Sequence, residues 1–402
     1  MQAKTVVISG AGIAGPTLAY WLAENGFAPT LVERAPQLRT GGYVIDFWGA
    51  RYDIAEKMGL LPEIHREGYD VQELRLVDTR DRRVGGFSAD VFRKLTDGRY
   101  VSIARSELGR LLFGKIEGHC ETIFGDSVTK ITPDADGVRV AFEKTPERRF
   151  DLAIGADGLH SRVRELVFGS EDNFEKYLGY MVGAFQAEGY RPRDDLVYVS
   201  YTIPGKQVAR FAMRNDRTMF LFVLAADEPL NVVAHDMTSQ KDALFAQFND
   251  AGWESSRILR ALDNSDDLYF DRVSQIHLDA WSKGRVALVG DAAFCPSLLA
   301  GQGAALAMVG AYVLAGELGR SPNDPEAAFV RYERLMRPFI ATKQKAAQRF
   351  AASFAPRTQF GVWFRDQITK VFAIPLIAQL FIGPGLLDRI DVPDYSRPQN
   401  PA

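Results

Sequence analysis

Thr5-Val6-Val7-Ile8-Ser9-Gly10-Ala11-Gly12-Ile13-Ala14-Gly15-Pro16 is the stretch that decides the fold of this chain. A short β-branched run reads as a strand, the glycines as a tight turn, and Thr17 to Glu24 as a helix closed by Asn25-Gly26. Pro16 suits a first helical turn, where its missing N–H had no intrahelical partner. Thr30 to Glu33 is the next strand, completing a β-α-β unit. In that context the spacing G-x-G-x-x-G has a mechanism: the glycines let the backbone approach a pyrophosphate, and the helix N-terminus offers it free N–H groups. Glu33 ends the second strand, where a carboxylate can accept hydrogen bonds from both ribose hydroxyls of an adenosine. A 2′-phosphate there would meet like charge, although neighbouring Arg34 softens that exclusion. The unit fits FAD or NAD and does not choose between them; a merely tight structural turn is the alternative.

Two further glycine signatures follow in order. Gly155-Ala156-Asp157-Gly158 comes after a strand read at Phe150 to Ile154. Gly284-Arg285-Val286-Ala287-Leu288-Val289-Gly290-Asp291-Ala292-Ala293 runs through Cys295 and Pro296 to Gly301-Gln302-Gly303. This last segment is a buried strand (Arg285 to Val289), a carboxylate able to bind a polyol chain, and a loop opening a helix (Ala304 to Leu318). The positive end of that helix would stabilise a reduced, anionic flavin ring. The alternative is an ordinary strand-to-helix turn with Asp291 as its cap. Two dinucleotide-type turns far apart in one chain point to the two ends of one long cofactor, FAD.

With 402 residues, 47% hydrophobic and 11% aromatic, the chain can build a large core and two domains. A formal net charge of -3 does not mark a nucleic-acid binder. Two cysteines, Cys120 and Cys295, at no paired spacing argue against a disulfide scaffold or zinc site and fit a cytoplasmic setting. Met1-Gln2-Ala3-Lys4 leads straight into the first strand, so a mature start is expected. Val371 to Leu387 is apolar but interrupted by Pro375, Gly383, Pro384 and Gly385, and a span needs about 20 predominantly apolar residues. It reads as a packed C-terminal helix, with a surface-bound amphipathic segment as the alternative, and no integral membrane association is expected.

The fold class expected is α/β: a Rossmann-type FAD-binding domain (1–72, 100–176 and 277–325), an inserted, mostly antiparallel β substrate domain (73–99 and 177–276), and C-terminal helices (326–402). Within it, Glu73 to Val77, Val101 to Ala104, Tyr198 to Thr202, Val208 to Met213 and Met219 to Leu224 read as strands. Val128 to Thr132 and Val138 to Glu143 read as a hairpin. Arg105 opens a helix, Gln240 to Asp250 is the insertion's one helix, and Glu326 to Ala352 is a long one. Phe185, Arg210, Phe211, Met213, Arg214, Phe220 and Phe222 could wall a pocket for a planar ligand, or be a buried face. The tail from Pro393 reads as loose.

The three ordered motifs, with the middle one extended as Asp157-Gly158-Leu159-His160-Ser161-Arg162, resemble those of the FAD-dependent aromatic monooxygenases typified by para-hydroxybenzoate hydroxylase. Trp281 to Leu318 is most similar to tetracycline-inactivating flavin monooxygenases and polyketide hydroxylases. The resemblance implies that Gly10, Gly12, Ala14 and Gly15 hold the pyrophosphate, Glu33 and Arg34 the adenosine end, and Arg105 the FAD backbone. It implies that Gly290 and Asp291 bind ribitol or pyrophosphate and that Pro296 and Gly301 lie near the ring. Backbone N–H groups of Gly303, Ala304 and Ala305 would then meet the pyrimidine end. Asp157 and Gly158 would serve the nicotinamide donor and FAD jointly. The implied reaction is reduction by NADPH or NADH, capture of dioxygen as a flavin hydroperoxide, and hydroxylation of a planar aromatic or polycyclic substrate by a monomer or weak homo-oligomer. Gly41-Gly42 and the loop through Asp46 to Gly49 occupy the region across which the family's flavin swings. His160 reads as packing near the cofactor rather than as an acid or base. A flavin reductase or dehydrogenase acting on a lipid-like substrate, or a non-catalytic FAD-binding protein, are the competing functions.

Overall fold

The computed structural model describes residues 3–39, 41–134, 136–233, 236–372 and 390–395. Its first layer is a six-stranded sheet in the order Ser282–Lys283, Val286–Leu288, Leu152–Gly155, Thr5–Ser9, Ala28–Glu33, Glu121–Phe124. All neighbours pair in parallel except the edge strand Ser282–Lys283. Parallel strands are covered on both faces and so read as continuous apolar runs, as Val6, Val7 and Ile8 do at 0–2% exposure. The helix Ala14–Glu24 packs on this sheet and Gly303–Arg320 packs against that helix, and all three glycine motifs leave the sheet at carboxyl ends of strands. In an open α/β sheet that edge is where a ligand binds.

The strand expected at Phe150 to Ile154 is two strands. Arg148–Phe150 closes an antiparallel meander with Val138–Phe142 and Val128–Pro133, whereas Leu152–Gly155 enters the parallel sheet. Asp151 is the pivot: its carboxylate accepts from Thr5 N at 2.7 Å and Thr5 Oγ1 at 2.9 Å, tying the corner to the first strand.

The insertion is a seven-stranded sheet ordered Leu268–Ile276, Glu175–Glu188, Arg217–Ala225, Lys206–Ala212, Val197–Ile203, Glu73–Val77, Arg83–Ser88. Only Val197–Ile203 with Glu73–Val77 is a parallel pair. Its outer face carries Phe185, Val208, Phe220 and Phe222 under the helices Met237–Phe248 and Ser255–Asp263. The second of these helices was not expected; its Ile258, Leu259 and Leu262 are all fully buried on that face. The inner face, with Val182, Ala184, Ala209, Leu221 and Val223, packs on Leu298 and Leu299 of the Gly-Asp loop and on Ala355. The two sheets thus face each other across that loop.

The helices Pro325–Phe354 and Gln359–Val371 complete the fold. Among the described residues no helix is long and apolar enough to cross a membrane. Most of the apolar stretch Val371 to Leu387 lies outside the described residues.

Candidate active site

The cradle at the first turn is built by close backbone approach. Gly10 has φ +105°, and a Cβ there would lie 2.6 Å from the Ala156 carbonyl oxygen, so the first and middle motifs touch through their backbones. A Cβ on Gly15 would sit 1.9 Å from the Gly10 carbonyl oxygen. Gly12 is different: its Cβ would meet only Arg105 Nη2, at 3.7 Å, so that position is open toward a ligand beside a guanidinium. Glu33 Oε2 accepts from Ala11 N at 2.8 Å and Oε1 from Ala35 N at 2.9 Å, which locks the carboxylate against the turn with lone pairs left for a hydroxyl donor. Arg34 is exposed beside it. Arg39, missed in the sequence, joins this edge; burial and then the Arg34 charge lower its pKa.

The third motif closes on the first. Gly290 (φ +67°) packs where a Cβ would be 3.1 Å from Ala14 Cβ and 3.6 Å from Ala307 Cβ. The Asp291 carboxylate oxygens lie 3.6 and 3.8 Å from a Cβ placed on Gly303, at the start of the Gly303–Arg320 helix. Burial raises the Asp291 pKa, opposed by the Arg105 charge. Ala304 and Ala305 sit in the helix's first turn, where N–H groups have no intrahelical acceptor. Gly301 is left-handed (φ +63°), and its carbonyl accepts from Nη1 of fully buried Arg51 at 3.3 Å. The Pro296 carbonyl accepts from Gln275 Nε2 at 2.8 Å. Gln302 Oε1, in the same loop, is buried without a partner among the described residues. An open glycine beside Arg105, a helix N-terminus and an orphaned polar atom fit a phosphorylated, heteroatom-rich cofactor better than a solid core.

Asp157 has a role inside the chain. Its carboxylate accepts from Ser161 Oγ at 2.5 Å and from Val163 N at 3.0 Å, and so fixes the start of the Arg162–Val167 helix. Gly158 (φ +83°) supplies the left-handed turn between them. Arg164, fully buried and not singled out in the sequence, links this motif to the third: Nη1 donates to the Ala292 carbonyl at 3.0 Å, and Nη2 to Glu171 at 2.5 Å. No sequence signal set it apart, because it stands in a short helix that also carries Arg162 and Glu165.

His160 stands between two carboxylates, Nδ1 at 2.8 Å from Glu171 and Nε2 at 3.1 Å from Asp271 of the insertion sheet. Hydrogen bonds to Asp271 and Glu171 push its pKa up to about 9, against a cost of burial. It is a cationic clasp between the two sheets. Because the folded pKa lies above the ordinary 6.5, the stabilisation is complete below that value and lost as pH rises through about 9. The melting temperature of wild type should therefore fall between pH 7 and 9.5, and His160→Gln should flatten that fall; parallel profiles would refute the clasp.

The expected pocket wall divides between faces. Phe185, Phe220 and Phe222 stack among themselves on the outer face and form its core under two helices. Arg210 is on that outer face too, paired with Asp194 at 2.8 Å and Glu254 at 3.3 Å. Its charge is answered inside the insertion rather than turned to a substrate. Arg214 donates to the Glu67 carbonyl and to the Gly68 carbonyl at 2.6 Å. Phe211 and Met213 do face inward, packed with Tyr43, Tyr69, Tyr198 and Met219. The residues missed are the tyrosines: Tyr43, Tyr198 and Tyr269 are half-buried on the inner side, with Tyr43 and Tyr269 edge to face at 6.2 Å. Burial raises the pKa of all three, so each keeps its phenolic proton. The Gly42 carbonyl accepts from Gln186 Nε2 at 3.2 Å, joining the Gly41-Gly42 loop to the same sheet. No metal-ligand cluster occurs among the described residues.

Convergent glycine turns, a parallel sheet and an antiparallel roof define a flavin-binding oxygenase architecture. Residues 3–340 match the family model described as "FAD binding domain", and the chain belongs to this family of FAD-dependent monooxygenases. A flavin-dependent monooxygenase from an unidentified prokaryote is 36% identical over 90% of this chain and 89% of its own. A Mycobacterium tuberculosis protein of unassigned function is 38% identical over 85% of this chain and 92% of its own. Among solved structures, tetracycline destructase Tet(51) matches with TM-score 0.83 and 32% identity, covering 98% of this chain and 100% of its own.

Proposed function

We propose that this flavoprotein uses NADPH or NADH and dioxygen to hydroxylate a planar, oxygen-rich aromatic or polycyclic substrate of tetracycline or polyketide type. The observation that carries the substrate class is the inner wall: three half-buried tyrosines beside Phe211 and Met213, against which Leu298 of the Gly-Asp loop packs. Flat rings would lie against the aromatic faces, and phenolic O–H groups would donate to substrate oxygens. The likeness to a tetracycline destructase supports the same class.

When bound, FAD supplies hydride acceptance and oxygen activation. The chain's own part is positioning. Gly10, Gly12 and Gly15 admit the pyrophosphate, with Arg105 beside it. Asp291 and the Gly303–Arg320 helix N-terminus hold the polyol and ring end, where the helix dipole favours developing negative charge. Leu298 and Leu299, packed against the insertion sheet, keep water from the space between. Purified holoenzyme should consume NAD(P)H faster with a tetracycline or planar phenol present and yield a product heavier by one oxygen atom. Stimulation without oxygen incorporation across that panel would refute the reading.

A further inference from the structure

Ser297 bears two costs at once. Its backbone has φ +121° and ψ +139°, a region in practice reserved for glycine. Its side chain is 1% exposed, and Oγ has no hydrogen-bond partner among the described residues. Serine is a poor choice on either count: glycine would remove the strain, and an apolar residue would remove the orphaned hydroxyl. Both neighbours are held, Pro296 through its carbonyl by Gln275 and Leu298 by packing against the inner-face core, which Leu299 then enters. The strained residue is thus fixed by its surroundings, which is how such conformations persist at functional positions. It lies between Cys295, whose surroundings include Asp291, and the loop opening the Gly303–Arg320 helix. In that loop Gln302 Oε1 is a second buried acceptor with no partner among the described residues.

We infer that the Ser297 hydroxyl is a binding group for the flavin ring, held in its glycine-like conformation so that Oγ donates to or accepts from the ring's polar edge. Resting on the FAD assignment alone and not on the substrate reading, this names a side-chain cofactor contact inside the third motif at a position its glycines do not supply. Two variants separate contact from strain. Ser297→Ala removes the hydroxyl and keeps the strain; Ser297→Gly removes both. Serial dilution of each holoenzyme, with released FAD read by its fluorescence, gives the dissociation constant. Melting of the flavin-free chains gives stability.

Loss of one hydrogen bond to a buried partner should weaken FAD binding about tenfold in both variants. Ser297→Gly should melt no lower than Ser297→Ala, because it relieves the backbone. If either variant holds FAD as tightly as wild type to within about twofold, the hydroxyl makes no contact and the inference fails. It fails equally if FAD loss follows the fall in melting temperature from variant to variant. Wild-type FAD loading is read in the same experiment, so failure of the substrate reading leaves this result intact.

Discussion

Gly15→Ala should yield a chain that purifies without bound flavin. The methyl group would have to occupy a point 1.9 Å from the Gly10 carbonyl oxygen, with Gly10 C and Leu31 Cδ1 each at 3.1 Å. The nearest obstacle is backbone, so no rotamer change relieves it. The turn itself would have to open, and Gly10 has little room to retreat, since even a Cβ placed on it would lie 2.6–2.8 Å from the backbone of Ala156 and Asp157. One added carbon would therefore displace both the first and the middle motif. Overpacking a rigid core usually costs about 1–3 kcal/mol, and this contact is closer than any packing adjustment absorbs. The measurement is the flavin-to-protein absorbance ratio of the purified chain alongside its melting temperature. Gly12→Ala is the control: its methyl would meet only the flexible Arg105 guanidinium at 3.7 Å, so the fold should survive and any loss of FAD must come from contact with the cofactor. Gly15→Ala retaining full flavin would show that the turn is not the rigid cradle described here.

The β-α-β unit was legible because its signals are local: a β-branched strand, glycines at fixed spacing, and a helix stop. Thr5–Ser9, Val101–Ala104 and the opening of a helix at Arg105 fall where those signals place them. The substrate wall was not legible, for a physical reason. The Lys206–Ala212 and Arg217–Ala225 strands are buried on both faces, so no polar alternation marks which side chains point inward. Parity emerges only from register: Phe185 pairs with Phe220, and Gly183 with Phe222, under the outer helices. Phe211 and Tyr198 pair on the opposite side. One residue of slip reverses the assignment, which is why Phe220 and Phe222 could be mistaken for a ligand wall while Tyr269 passed unnoticed. Arg164 escaped for a related reason. Its partners, Ala292 and Glu171, are far away or in an irregular turn, and no spacing rule announces them.

Arg210→Ala should destabilise the insertion sheet while leaving flavin content unchanged. The guanidinium is 2% exposed, between Asp194 and Glu254, and lies over the Trp253 ring at 5.6 Å. Burial opposes ionisation of Asp194, yet its hydrogen bonds and ion pairs with Arg210 and Arg75 hold its pKa below the usual carboxylate range. Glu254 is pushed the other way, chiefly by burial, and accepts from Tyr190 Oη at 2.6 Å. Removing the arginine leaves two acidic groups facing each other in a poorly solvated space, a loss of about 3–5 kcal/mol for a broken buried pair. Arg210→Met should lose less, since it keeps the volume of the stem against Trp253. A substrate-steering arginine would behave oppositely: KM would rise with little change in melting temperature, and both substitutions would act alike. Denaturant melts together with FAD absorbance decide between them. A normal melting temperature with a raised KM would return Arg210 to the substrate site and overturn the face assignment on which the tyrosine wall depends.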